Sequence, residues 1–169
     1  MVSFCLVAWR RLSRYRRARQ VRGFSLLELL LVLGILAIVS AIAAPQYAKA
    51  AARYRIEAAA QRIVADLELA QRRARTIGAS QTVTFAVVSD SYQLAGAAHL
   101  DKPATVYTVN LAAEPYRVDL QSASFAGFPT VAYNGYGQPS AGGVIVLQTS
   151  ATGMKVIVVD AQSGKGVVQ

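Results

Sequence analysis

The sequence predicts an α+β protein in which a long N-terminal α-helix packs on a C-terminal antiparallel β domain. Three observations carry this prediction. The run from Phe24 to Ala44 is almost wholly apolar, and 47–77 contains no glycine or proline and repeats at helical spacing. From Gln81 onward, short β-rich runs alternate with turn residues. A chain of 169 residues accommodates one compact domain plus an appended segment.

Positive charge is concentrated before the apolar run. The chain carries a formal net charge of +9 from 18 basic and 9 acidic residues. Seven of the basic residues precede Gly23 with no acid among them: Arg10, Arg11, Arg14, Arg16, Arg17, Arg19 and Arg22. Without residues 1–23, 11 basic residues would face 9 acidic ones, so the charge indicates a topogenic leader and not a basic nucleic-acid-binding domain. The only cysteine, Cys5, lies in the same segment, so the rest of the chain can form no disulfide.

The apolar run is long enough to cross a bilayer. Its 21 residues would form a helix of about 31 Å, which matches a hydrocarbon core of about 30 Å. The arginines before it favour a cytoplasmic N-terminus and a periplasmic C-terminal domain. The alternative is a secretory signal peptide cut near Ala41-Ile42-Ala43, but the run exceeds the usual length and contains Glu28 as an unexplained charge.

The helical pattern resumes after Pro45, which we expect to bend the helix without ending it. One apolar stripe steps by three and four along this half, and we expect it to face a sheet. Its members are Ile56, Ala60, Ile63, Leu67, Ala70, Ala74 and Ile77. Gly78 is suited to the helix C-cap. We interpret Arg72, Arg73 and Arg75 as a solvated face whose charge complements the negative end of the helix dipole.

The remainder of the chain predicts strands and turns. We expect a hairpin of 82–88 with 92–94, a second pair of 105–111 with 116–120, and a hairpin of 143–149 with 154–160. Val131 to Tyr133 runs into the turn dipeptide Asn134-Gly135. Five tyrosines are equally compatible with an interface and with the strand core: Tyr92, Tyr107, Tyr116, Tyr133 and Tyr136.

Residues suited to catalysis or metal binding are few, and neither an enzyme nor a cofactor is expected. His99 is the sole histidine, and we interpret it as an ordinary surface residue. The four aspartates of the β region are scattered, so a calcium site would have to be assembled by the fold. They are Asp90, Asp101, Asp119 and Asp160.

The six residues from Gly23 to Glu28, GFSLLE, closely resemble the class III processing motif of type IV pilins and type II secretion pseudopilins. The resemblance implies that prepilin peptidase cleaves between Gly23 and Phe24 and methylates the new amine of Phe24. It also implies that Glu28 is an assembly residue, whose carboxylate neutralises the N-terminal ammonium of a neighbouring subunit, and that Pro45 is a helix-bending proline. The leader is longer than many in this family and opens with a partly apolar stretch from Val2 to Trp9.

Beyond Pro45 the order of elements is similar to that of the H-type minor pseudopilins and related minor pilins, which fold as a long helix on two small antiparallel sheets. The segments 133–139 and 164–166 resemble the late strand-turn region and the closing turn of that family. The implied organisation is a leader over 1–23, a transmembrane half over 24–44, an amphipathic periplasmic half over 45–78 and a β domain over 79–169.

The leading hypothesis is therefore a minor structural subunit of a type II secretion pseudopilus in the bacterial inner membrane. The implied partners are prepilin peptidase, other pilins or pseudopilins, an inner-membrane assembly platform and the lipid bilayer. The alternative is a minor type IV pilin for pilus biogenesis or DNA uptake, although Lys155, Lys165 and Arg117 are sparse for phosphate binding. A membrane-tethered periplasmic hydrolase would need a perturbed acid or nucleophile in a cleft.

Overall fold

The structure, a computed structural model, describes residues 24–98, 105–149 and 153–169. A single long helix, α1 (Leu26–Ile77), begins the described chain. A 3₁₀ turn at Val87–Ser89 follows the first strand. The strands are β1 (Gln81–Ala86), β2 (Ser91–Ala98), β3 (Val106–Asn110), β4 (Asp119–Phe125), β5 (Thr130–Tyr133), β6 (Gly143–Thr149), β7 (Gly153–Val159) and β8 (Gly166–Val168).

The strands form two antiparallel four-stranded sheets, ordered β3-β2-β1-β5 and β4-β6-β7-β8. The α+β class, the long helix and the two small sheets are confirmed. In the first sheet Val83 lies opposite both Leu94 of β2 and Val131 of β5. In the second, Ile145 lies between Ala123 of β4 and Ile157 of β7.

The chain divides into two compact units at Ser40 and Ala41, and α1 runs through both. In the first unit, every described residue from 24 to 40 is exposed. In the second unit α1 buries one face, beginning at Ala52. Six of the seven predicted stripe residues are buried there, but Ile77 is 53% exposed, so its inclusion was wrong. It is the last helical residue, where the buried stripe has already ended at Ala74.

One hydrophobic core joins the helix to both sheets. Ile63 and Leu67 of α1 are almost fully buried, as are Leu94 of the first sheet and Leu147 of the second. The rings of Phe85 and Phe125 stack across the two sheets with centroids 5.8 Å apart. Aromatic pairs of this kind stabilise a protein beyond the apolar area that they bury. This pair therefore helps to hold the two sheets together.

The predicted pairing of 105–111 with 116–120 was wrong. β3 pairs with β2 in the first sheet, whereas β4 begins only at Asp119 and pairs with β6 in the second. The segment between them contains the cis peptide Glu114-Pro115. At its two ends Val118 N–H donates to the Leu111 carbonyl at 2.9 Å. The alternation that predicted two strands was right, but it does not specify which sheet each strand joins.

The two outer hairpins were predicted correctly, with small differences in their ends. β1 and β2 pair around the 3₁₀ turn, and β6 pairs with β7 on either side of residues 150–152, which lie outside the described residues. The expected short last strand, β8, pairs with β7. It already begins at Gly166, because the turn before it closes earlier, where Gly164 N–H donates to the Asp160 carbonyl at 2.9 Å.

The turn predicted at Asn134-Gly135 is confirmed, because Gly137 N–H donates to the Asn134 carbonyl at 2.7 Å. The chain then returns beside β5, where Ser140 N–H donates to the Ala132 carbonyl at 2.7 Å, while the other edge of β5 pairs with β1.

The predicted end of the helix is confirmed. α1 stops at Ile77, and Gly78 adopts the left-handed conformation with φ +64°. That conformation is the usual way to end a helix and favours glycine. The turn that follows β5 approaches closely, since a Cβ added at Gly135 would lie 2.8 Å from the Gly78 carbonyl oxygen. Two glycines therefore fix where the helix ends against the first sheet.

Candidate assembly site

The N-terminal end of α1 carries the residues that sequence analysis singled out. Ser25 precedes the helix, and its Oγ accepts a hydrogen bond from the Glu28 N–H at 3.2 Å. The Ser25 carbonyl accepts from the Leu29 N–H at 3.1 Å. Ser25 is thus the N-cap and Glu28 the third helical residue, which is the spacing of a capping box. A carboxylate in the first turn also interacts favourably with the positive end of the helix dipole.

Phe24 lies immediately before this cap and is 76% exposed. Gly23, the other residue of the predicted cleavage site, lies outside the described residues. The structure therefore brings Phe24, Ser25 and Glu28 together at one helix end, within four residues of one another. Ser25 was not predicted to have a role, although its place three residues before an acid was a signal for one.

The helix surface that follows is apolar and unpacked. No residue between Glu28 and Lys49 is charged. The exposed large side chains of this surface are Leu26, Leu27, Leu29, Leu30, Leu31, Val32, Leu33, Ile35, Leu36, Ile38, Val39 and Ile42. Within the described residues, α1 is long and apolar enough to cross a membrane. An apolar area of this size on a protein surface marks a site of contact with lipid or with other proteins.

Pro45 lies inside α1, and the helix continues past it to Ile77. Proline has no N–H and removes one helical hydrogen bond, so the helix is locally weakened between Ala41 and Pro45. The residues on either side of Pro45 remain exposed up to Ala50.

A buried polar cluster joins α1 to the first sheet. Asp66 is only 5% exposed, and its carboxylate accepts hydrogen bonds from the hydroxyls of Tyr92 at 2.6 Å and Tyr107 at 3.0 Å. Arg62 donates to the same carboxylate at 3.1 Å and also contacts the Tyr107 hydroxyl. Burial raises the pKa of Tyr92, and the neighbouring Asp66 charge raises it further. The cluster therefore keeps both tyrosines as neutral donors to the Asp66 carboxylate.

Sequence analysis missed Asp66. The signal was present, because Asp66 lies three residues after Ile63 and four before Ala70, on the buried face of the helix. Tyr92, Tyr107 and Tyr133 are core residues, whereas Tyr136 is 84% exposed. Tyr116 is partly buried against the same core, so the core interpretation is confirmed for four of the five tyrosines and not for Tyr136.

A second set of contacts ties the helix to the loops after β5 and β7. Gln71 is buried, and its Nε2 donates to the carbonyls of Gly137 at 2.7 Å and Ser163 at 2.6 Å. Arg75 Nε donates to the Tyr136 carbonyl at 3.1 Å. Tyr133 donates to the Gly164 carbonyl at 3.1 Å, and burial raises its pKa to about 12. These contacts hold the C-terminal end of α1 in one position.

The three arginines near the helix end each contact part of the protein. Arg72 pairs with Glu68 at 3.0 Å, and Arg73 donates to the Gly96 carbonyl at 2.6 Å. Arg75 contacts the loop after β5. The interpretation as a solvated face therefore describes Arg72, whereas Arg73 and Arg75 also bind backbone carbonyls of the β domain. They position loops as well as complementing the helix dipole.

The described aspartates that were considered for metal binding do not form a metal site, and two of them accept hydrogen bonds within the protein. Asp90 Oδ1 accepts from the Leu120 N–H at 2.7 Å, and the Asp160 carboxylate accepts from Ser163 N–H and Oγ. The Ser163 hydrogen bonds lower the pKa of Asp160. Asp119 is exposed at the start of β4. Among the residues that the structure describes, no group of three potential ligands could hold a metal ion. His99 and Asp101 lie outside those residues.

Comparison with known proteins agrees with this geometry. The prokaryotic N-terminal methylation motif matches residues 18–44, and the family described as type II transport protein GspH matches residues 59–164. None of the curated proteins compared with the chain matches it.

A similar solved structure is that of the type IV minor pilin FimU from Pseudomonas aeruginosa. It has a TM-score of 0.50 and 11% identity, and the similarity covers 69% of this chain and 88% of that one. At this identity the likeness shows a shared pilin-like fold. The family match extends over more than half of the sequence, and the chain is a member of the type II transport protein GspH family.

Proposed function

We propose that this chain is a minor structural subunit of a type II secretion pseudopilus. It is made with a leader over 1–23, which prepilin peptidase removes between Gly23 and Phe24 before Phe24 is N-methylated. Residues 24–44 hold it in the inner membrane, with its N-terminus cytoplasmic and its β domain periplasmic. Assembly on the inner-membrane platform then transfers the helix from lipid to a bundle of neighbouring helices. The role is structural, with no reaction performed by the chain.

The observation that carries this proposal is the exposed apolar start of α1 with Glu28 as its only charge. A charged side chain in a membrane-spanning helix costs about 2.5–3.5 kcal/mol near the centre and less near the end, where Glu28 lies, and the remaining cost favours a compensating partner. Glu28 lies within one turn of Phe24, whose new amine would be the cation at that end of each subunit. A stagger between adjacent helices would pair the acid of one with the amine of the next, which offsets the cost of burying either.

Variants of Glu28 separate processing from assembly. In a strain that lacks the native subunit, Glu28→Leu should be cleaved normally yet restore less than about a tenth of secretion, because the amine of the neighbouring subunit would be left unpaired in the helix bundle. Glu68→Gln, an exposed acid of the same helix, is the matched control and should secrete normally. Gly23→Val should accumulate as the uncleaved precursor. Normal secretion with Glu28→Leu would refute the assembly role.

A second candidate function is a minor subunit of a type IV pilus, which the fold similarity to FimU favours. The same variants distinguish the two functions if pilus extension and exoprotein release are measured together. Loss of surface pili with unchanged release would support the second function.

The DNA-uptake form of this candidate has less support. Lys155 pairs with Glu57 at 3.2 Å, and Arg117 pairs with Glu114. Two of the three cations considered for phosphate binding are therefore partly neutralised. Retention of residues 46–169 on DNA, falling steeply as salt increases, would support DNA binding despite these pairs.

A further inference from the structure

A ring of basic and aromatic side chains follows the apolar part of α1. It consists of Tyr47, Lys49, Arg53, Tyr54 and Arg55, and we call it the basic–aromatic ring. Tyr47 is 79% and Tyr54 78% exposed, and neither is part of the core. No acid occurs between Glu28 and Glu57. We infer that the basic–aromatic ring binds the anionic phospholipid headgroups of the membrane's outer leaflet, an inference that rests on the proposed membrane anchoring.

The arrangement around the helix favours a lipid surface over a protein partner. Successive helical residues are about 100° apart, so Arg53 and Arg55 lie about 160° apart, on nearly opposite sides. Lys49 lies about 40° from Arg53. The two tyrosines are about 20° apart and lie between Arg53 and Arg55 around the helix. A docked protein would contact one face, whereas headgroups reach all of the helix surface that the β domain leaves uncovered from Ala52 onward. Tyrosine is also enriched at that level, where its ring and hydroxyl meet different environments.

Position along the helix places the ring at the headgroup layer. At about 1.5 Å per residue, its members lie about 5–16 Å beyond Ala44. The headgroup layer extends about 5–8 Å beyond the hydrocarbon core, and surface charge acts over a further Debye length of about 8 Å. Helical side chains also tilt toward the helix N-terminus, so the basic groups point back toward the membrane. All three cations are therefore within reach of lipid phosphates.

The acid that could compete for these cations is already engaged. Glu57 pairs with Lys155 of β7 at 3.2 Å and accepts a hydrogen bond from Gln61 at 3.1 Å. These contacts lower the pKa of Glu57, the Gln61 hydrogen bond most and then that of Lys155. Within the described residues, the side chains of Lys49, Arg53 and Arg55 form no ion pair. The ring thus presents positive charge without an internal counterion.

The experiment measures lipid enrichment around a label at the ring. The full chain carrying Cys5→Ser and Ala50→Cys is labelled at that cysteine and reconstituted in nanodiscs of phosphatidylcholine and phosphatidylglycerol. Energy transfer to a trace acceptor is compared when the acceptor is on phosphatidylglycerol or on phosphatidylcholine. We expect about threefold greater transfer to phosphatidylglycerol, since each basic group near an anionic surface is attracted appreciably. High salt should reduce the preference.

The variant K49Q/R53Q/R55Q should show equal transfer to both lipids. The matched control R72Q/R117Q/K165Q removes the same charge from exposed positions elsewhere and should keep the preference. Equal transfer in the unmodified ring, or the same loss in both triple variants, would overturn the inference. If the native chain transfers equally to both lipids and K49Q/R53Q/R55Q nevertheless fails to assemble, the ring contacts a protein partner instead. Nanodisc co-flotation tests the anchor separately, and its failure would refute the proposed membrane anchoring itself.

Discussion

Removal of the Asp66 carboxylate should destabilise the β domain more than removal of any exposed carboxylate. In Asp66→Ala the buried Tyr92 hydroxyl loses its acceptor at 2.6 Å. A buried donor left unsatisfied costs about 1–3 kcal/mol. Tyr107 also loses an acceptor but keeps its contact with Arg62, so its loss is smaller. The Arg62 side chain is 43% exposed, and water can replace most of its ion pair. Together these losses predict a destabilisation of about 3 kcal/mol.

Urea unfolding of residues 46–169, followed by far-ultraviolet circular dichroism, measures this change. That segment contains every core residue of the described chain. Glu68→Ala is the matched control, because Glu68 is an exposed acid of the same helix whose pair with Arg72 is worth about 0.5 kcal/mol. The midpoint should fall markedly for Asp66→Ala and hardly at all for Glu68→Ala.

A double-mutant cycle identifies the cause. Tyr92→Phe removes the orphaned hydroxyl, so in that background Asp66→Ala should cost about 1 kcal/mol less than in the native sequence. If the two changes add within about 0.3 kcal/mol, the hydroxyl does not depend on this carboxylate. A loss below about 0.5 kcal/mol for Asp66→Ala alone would refute the assignment of a stabilising role to the cluster.

Two further outcomes follow from the loops beside α1. Gly127→Ala should destabilise by about 1 kcal/mol because its φ is positive. Gly137→Ala should cost about 1 kcal/mol more, because the exposed Arg75 side chain must also move and give up its hydrogen bond to the Tyr136 carbonyl; equal losses in urea unfolding would contradict this coupling. Burial raises the pKa of Tyr133 from its ordinary value of 10.0 to about 12. The stability from this group should therefore be complete below pH 10 and decline as pH rises from 10 to 12, where unfolded chains ionise first. Tyr133→Phe should flatten that part of the pH profile, and an unchanged slope would show that another group is responsible.

Much of the helix could be predicted from local patterns. The stripe that includes Ile63 and Leu67 repeats at helical spacing, and Gly78 supplies a stop signal that depends only on backbone conformation. Both features are local, so they can be read without knowledge of the partners. The methylation motif is also local, which is why the residues near Phe24 could be singled out from sequence.

Sheet membership and the buried cluster could not be predicted in the same way. The alternation of β3 and β4 is compatible with pairing in either sheet, and the choice depends on contacts with strands far along the chain, such as β2 and β6. Asp66 resembles a solvated residue until Tyr92 and Tyr107 are brought to it from the first sheet. Their hydroxyls donate hydrogen bonds that offset the cost of burying the carboxylate. These donors are 26 and 41 residues away in the sequence, so the local pattern around Asp66 does not reveal them.

The N-terminal residue of the protein purified from native membranes tests the central proposal most directly. Intact-mass and fragment mass spectrometry should identify a chain that begins with N-methylated Phe24 and retains the apolar segment through Ala44. A chain that begins just after Ala43 would instead indicate removal of a secretory signal peptide, with the helix anchor and Glu28 discarded, and would contradict assembly through that helix.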